Sequence, residues 1–100
     1  RKGDDKIVKY RPTRVQVDND TSRHYTIIDI FTYDRVGLLY DITRTISHLG
    51  YEIYLSKIAT KADQVADVFY IFEHPSRKID DEGKVEELQD AIYRAIEEGA

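Results

Sequence analysis

Between residues 25 and 50 the hydrophobic period of this chain changes once, at Asp34-Arg35-Val36-Gly37, and that change limits the folds open to it. Before it, residues 25–33 are rich in aromatic and β-branched types. Their two frames are Tyr25, Ile27, Asp29, Phe31, Tyr33 and Thr26, Ile28, Ile30, Thr32. Successive side chains of a strand point to opposite faces, so apolar groups in both frames predict a strand covered at least partly on both sides, by more than one helical layer. After the change, Leu38, Leu39, Ile42, Ile46 and Leu49 recur at three- and four-residue spacing, the stripe of an amphipathic helix. Asp34 is placed to cap its start, and Gly50, which tolerates left-handed backbone, to end it.

The rest of the chain repeats this alternation. Residues 13–17 alternate polar and β-branched types and stop at the turn residues Asp18-Asn19-Asp20, which reads as a short strand. Residues 51–60 return to strand composition, but Ile53 and Leu55 share one frame while Ile58 lies in the other, which predicts a bulge. After the polar turn Lys61-Ala62-Asp63, residues 64–72 carry the densest apolar run of the chain and read as a central strand. His74-Pro75-Ser76 ends it, because proline cannot donate to a ladder. From about Asp81 a second amphipathic helix runs to Glu98 with Val85, Leu88, Ile92, Ala95 and Ile96 inward, and Gly99 follows. Residues 1–12, polar with isolated Ile7, Val8 and Tyr10, read as a linking arm before one domain at 13–100. The order β-β-α-β-β-α predicts an α+β sandwich, a four-stranded and mainly antiparallel sheet with both helices on one face.

Composition narrows the function. A chain of 100 residues with 41% hydrophobic content supports one core. Its 15 basic against 19 acidic residues give a net charge of -4, which argues against phosphate backbones and anionic lipid as partners, so neither nucleic acid nor membrane is expected. No run approaches the roughly 20 apolar residues of a bilayer span. Cysteine is absent, which removes disulfides and thiolate metal sites and fits a reducing cytoplasm. Methionine is absent too, even at position 1, so a piece of a longer polypeptide is expected. His24, His48 and His74 lack metal-ligand spacing, and there is no Ser/His/Asp grouping or phosphate-binding glycine loop. Neither catalysis nor a metal or cofactor is expected. Glu86-Glu87 and Glu97-Glu98 read as solvated helix faces. Asp29 and Asp67 read as polar residues on a solvated sheet face, or as contacts to a ligand or partner.

The run Asp34-Arg35-Val36-Gly37-Leu38-Leu39, with Tyr25-Thr26-Ile27-Ile28-Asp29-Ile30 before it and Asp67-Val68-Phe69-Tyr70 further on, resembles the signature of the ACT domain over about residues 13–98. The resemblance implies a ferredoxin-like sandwich that senses an amino acid, glutamine first. It implies a place at the C-terminal end of a nucleotidyltransferase with hydrolase activity, in nitrogen regulation. Two departures stand out. Val36 occupies a position that is often proline, and the closing strand after the second helix is missing, a slot that the strand at residues 13–17 fills as an antiparallel neighbour of residues 25–33.

A strand-to-helix turn offers unpaired N–H groups at a positive helix end to a carboxylate. Gly37 allows close approach, Asp34 accepts from an ammonium group, and the peptides of Arg35, Val36, Gly37, Leu38 and Leu39 orient the ligand. In ACT dimers a neighbour's strand supplies the second wall, here Tyr54, Leu55, Ser56 and Lys57, so a second ACT domain is the implied partner. Two other readings stay open. One is a dimerisation or docking module with no ligand. The other is an RNA-binding sheet with eight tyrosines to stack bases, although residues 64–72 lack the basic-Gly-aromatic pattern and Asp67 would repel a strand.

Overall fold

In the computed structural model, which describes residues 13–99, the strands pair into one sheet. They are β1 (Arg14–Asp18), β2 (Thr26–Tyr33), β3 (Tyr51–Lys57), β4 (Thr60–Lys61) and β5 (Gln64–Glu73). Helix α1 (Leu38–His48) follows β2, and α2 (Glu82–Glu98) follows β5. The order across the sheet is β1-β2-β5-β3 with β4 beside β5, and every pairing is antiparallel. This is the ferredoxin-like α+β arrangement expected, with β1 at the edge beside β2. The arm assigned to residues 1–12 lies outside the described residues.

The alternation of side chains assigns each face. Val15, Ile28, Ile30, Val65, Phe69 and Ile71 point to the helices and meet Leu38, Ile42, Ile46, Leu88, Ile92 and Ile96 in one core. Leu39, placed on the α1 stripe by spacing alone, instead lies outside it and is exposed. On the opposite face Tyr25 stacks on Tyr54 with centroids 4.4 Å apart, and Tyr70 and Phe72 meet Tyr25 edge-on. The second apolar frame of β2 is therefore sheltered in part by aromatics of neighbouring strands, and no helix among the described residues lies over it.

The short β4 was not foreseen, and the register explains it. Lys57 pairs with Val68 and Thr60 with Val65, and Ala66 N donates to Ala59 O. One register therefore runs through both, so β3 and β4 are a single strand interrupted at Ile58-Ala59, where Asp67 Oδ1 takes the Ala59 N–H at 3.1 Å. The predicted bulge falls between Ile53 and Leu55, which pair with Ile71 and Tyr70 and leave Tyr54 without a partner residue.

The link from β5 to α2 is fastened under the sheet's other end. The buried Thr26 hydroxyl donates to Asn19 Oδ1 (2.6 Å) and accepts from Ile79 N (3.0 Å), while Asn19 Nδ2 donates to Ile79 O (2.7 Å). Ile79 is thereby held in the core without belonging to a helix or strand. Asp81 then caps α2, accepting from Gly83 N and Lys84 N. Thr26→Val keeps the shape but leaves the Ile79 N–H and Asn19 Oδ1 unpaired. It is expected to cost about 1–3 kcal/mol in urea denaturation with the m-value unchanged.

Candidate functional site

The turn between β2 and α1 is shaped by its backbone. Gly37 sits in the left-handed region at φ 81°, which L side chains adopt only at a cost, and it is the residue that precedes α1. Its carbonyl accepts from Asp41 N at 2.9 Å, and Arg35 O accepts from Leu38 N at 3.2 Å. The helix cap is therefore Gly37 and not Asp34, and no side chain caps α1. Among the described residues, no protein acceptor meets the amides of Val36, Gly37, Leu39 and Tyr40. These N–H groups belong to the turn and first residues at the positive end of the α1 dipole. The expected cradle of residues 35–39 is thus shifted, because Leu38 N is already bonded within the turn.

Two contacts hold the turn in place. Asp34 N donates to Asp63 O at 2.8 Å, tying the turn to the tip of the β4–β5 hairpin. On the other side Arg35, mostly buried, reaches the last turn of α2, where Nη2 donates to Ala95 O (3.2 Å) and Ile96 O (3.3 Å). The same nitrogen pairs with Asp41 Oδ2 at 2.9 Å, and Nη1 donates to Val36 O at 3.1 Å. A cation at the carbonyl end of α2 and a carboxylate in the first turn of α1 both oppose the local dipole favourably. Gly99 leaves the room for this. A Cβ there would press into Arg35 Nη2, Asp41 Oδ2 and Ala95 O. Arg35 therefore serves as a brace through its side chain, a role that residue type and spacing did not signal.

Of the two readings open for Asp67, a solvated sheet face or a contact to a ligand or partner, burial removes the first. Asp67 shares the inward frame of Val65, Phe69 and Ile71 and is 3% exposed on the side covered by the helices. Burial raises the Asp67 carboxyl above its usual value and the nearby charge of Asp34 raises it further, while the bond from Ala59 N opposes both. Its frame was readable from the two-residue alternation of β5. On the open face the acidic residue is Asp29, paired with Val68.

The four β3 residues proposed as a neighbour's wall are separated from the turn by the width of β5. Tyr54 stacks on Tyr25, Lys57 Nζ lies 5.6 Å from the Tyr70 ring centroid, and Leu55 pairs with Tyr70 on the open face. Ser56 pairs with Phe69 and points to the helix side. One chain therefore brings Asp34, Arg35, Val36, Gly37, Leu38 and Leu39 together, but not Tyr54, Leu55, Ser56 and Lys57 with them. The outer edge of β3 pairs with no strand among the described residues, whereas Gln89 Nε2 covers the β1 edge at Val15 O (2.6 Å). Among the described residues no group of acidic or histidine side chains is placed to hold a metal, and no helix is long and apolar enough to cross a membrane.

Comparison with known proteins agrees with the fold. A family profile described as "ACR9-like, ACT-like domain" matches residues 14–98. The chain is 42% identical over 89 residues to a bifunctional uridylyltransferase/uridylyl-removing enzyme of Cereibacter sphaeroides, covering 89% of this chain and 10% of that protein. Proteins of the same name from Ruegeria pomeroyi (40% over 89 residues, 89% of this chain and 10% of theirs) and Azospirillum brasilense (35% over 85 residues, 85% and 9%) are also similar. The chain spans about a tenth of the length of these relatives. No solved structure matches.

The Asp67 carboxyl gives a signed test. Because its folded pKa is raised, the native state binds more protons than the unfolded chain between the two values, so its effect on stability is an increasing cost as pH rises through that window. Asp67→Asn keeps an acceptor for Ala59 N and removes the charge. It is expected to raise the urea midpoint at pH 7, with the gain shrinking as the pH is lowered through that window and gone below the ordinary aspartate value. A lower midpoint at pH 7 would show that the charge is balanced by a cation.

Proposed function

The chain belongs to the ACT-like domain family, and on that premise we propose that its strand-to-helix turn binds a free amino acid, glutamine first, and conveys that binding to an attached enzyme. The observation that carries the reading is the uncapped start of α1, where among the described residues no protein acceptor meets the amides of Val36, Gly37, Leu39 and Tyr40, with Asp34 in the same turn and its charge felt by Asp67. A zwitterion matches both signs. Its carboxylate accepts from the amides at the positive helix end, and its ammonium group is drawn to Asp34, with the buried charge of Asp67 adding to the field. The names of the similar proteins suggest the attached activity, addition and removal of uridylyl groups, and we further propose PII-type proteins of nitrogen regulation as its target. The domain itself supplies no chemistry in this reading, and its setting is the cytoplasm.

A second ACT domain is the proposed partner. Val36 is 99% exposed, and Leu39, Tyr40, Ile53 and Leu55 are exposed as well. Val36, Leu39 and Tyr40 lie on the turn and α1, and Ile53 and Leu55 on β3, whose outer edge no other described strand occupies. Pairing along that edge would bring a neighbour's Tyr54, Leu55, Ser56 and Lys57 towards the turn. A coupling of about 1–3 kcal/mol between ligand and pairing suffices to change an attached activity several-fold. The same surface supports the alternative of a ligand-free docking module.

Calorimetric titration separates the two. Glutamine is expected to give saturable heat with the purified chain, and glutamate little. Gly37→Val is expected to abolish the heat, while Gly37→Asn, which tolerates the left-handed backbone, retains the fold and part of the affinity. Absence of heat from the wild-type chain, or unchanged binding in a folded Gly37→Val variant, would remove the turn as the sensor. Dimerisation without glutamine binding would favour docking.

A further inference from the structure

A second concave site lies between the end of β2 and the β4–β5 hairpin. The end of β2 and the hairpin enclose a cleft of about 600 Å³, within the size range of small-molecule pockets. Its charge is one-sided. Arg14 and Lys61 line it, and no Asp or Glu side chain among the described residues does. Its walls are apolar where Phe31, Val65 and Ala66 contribute.

One feature suggests a site shaped for a ligand. The Arg14 guanidinium is held 4.8 Å from the Phe31 ring centroid by direct cross-strand pairing of the two residues, so a cation and an aromatic wall are presented together.

We propose that this cleft binds a small organic anion with a planar apolar body. The anionic group lies between Arg14 and Lys61, and the planar body rests against Phe31 and Ala66, which pair across β2 and β5. The cleft shares the hairpin with the turn, since Lys61 adjoins the tip whose Asp63 carbonyl holds Asp34 N. It is nonetheless a separate site, and its occupancy does not depend on what the turn binds.

The test is a ¹H–¹⁵N NMR titration of the whole chain with indole-3-acetate, with neutral indole-3-acetamide as the charge control. Indole-3-acetate is expected to move the amides of Thr32, Tyr33, Thr60 and Ala66 saturably, and the acetamide to bind at least about tenfold more weakly. Arg14→Gln and Lys61→Gln should each weaken indole-3-acetate by about tenfold, whereas Lys57→Gln, beside Tyr70 on the open face, should not. Equal binding of the two compounds, shifts centred on Tyr25 and Tyr54, or contacts showing residues 1–12 already seated in the cleft would each overturn the proposal. Shifts confined to Gly37 and Leu39 would overturn it while favouring the turn as a ligand site.

Discussion

The geometry of the turn depends on the guanidinium of Arg35. Placed between the last carbonyls of α2 and the Asp41 carboxylate, it joins the start of one helix to the end of the other. Without that brace the turn would be fixed only by its backbone bond to the hairpin tip. Partial burial limits screening of the Arg35–Asp41 pair, so the contact is worth more than an exposed ion pair of the same length. The arrangement works only because Gly99 has no side chain, which makes the residue just beyond α2 part of the turn's support.

Much of the fold was legible because burial imposes its period on sequence. Ile28 and Ile30 on β2, Phe69 and Ile71 on β5, and Leu88, Ile92 and Ile96 on α2 all lie where alternation or the helical stripe puts them. Leu39 shows the limit of that reasoning. Its spacing fits the stripe, but at the second helical position the chain is still turning out of the left-handed Gly37, and the side chain emerges beside Val36 and Tyr40. The break at Ile58-Ala59 was hidden for a different reason. It depends on a side-chain oxygen eight residues away, Asp67 Oδ1, and local composition carries no record of such a contact.

The site was legible in part. Glycine followed by a helical stripe identifies a turn with free amides, since few other residues tolerate the required φ. The cap was misassigned, however, because an aspartate three residues before Gly37 looks like an N-cap when the backbone path is unknown. The solvated reading of Asp67 stayed open although its frame was available: an acidic residue between Val65 and Phe69 invites a solvent assignment, and alternation overrules it. The roles of Arg35 and Gly99 were not available at all, because they arise where the two helix ends meet, 60 residues apart in sequence for Arg35 and Ala95.

These placements give the turn an electrical asymmetry. Above it, free amides and the positive end of α1 favour a negative group, and Arg35 beneath Val36 adds a fixed positive charge on the side towards α2. Towards the sheet, Asp34 and Asp67 raise the cost of further negative charge; burial shifts the Asp67 carboxyl upward, and the Asp34 charge adds to that shift. A ligand with a single negative charge gains from the first region only, and one with a single positive charge from the second only. A group carrying both, a few bonds apart, gains from both and relieves the repulsion between the two carboxylates. In the proposed reading, selectivity for a free amino acid over a simple carboxylate or amine would follow from the spacing of these charges about the turn, before any contact to the amino acid's side chain is made.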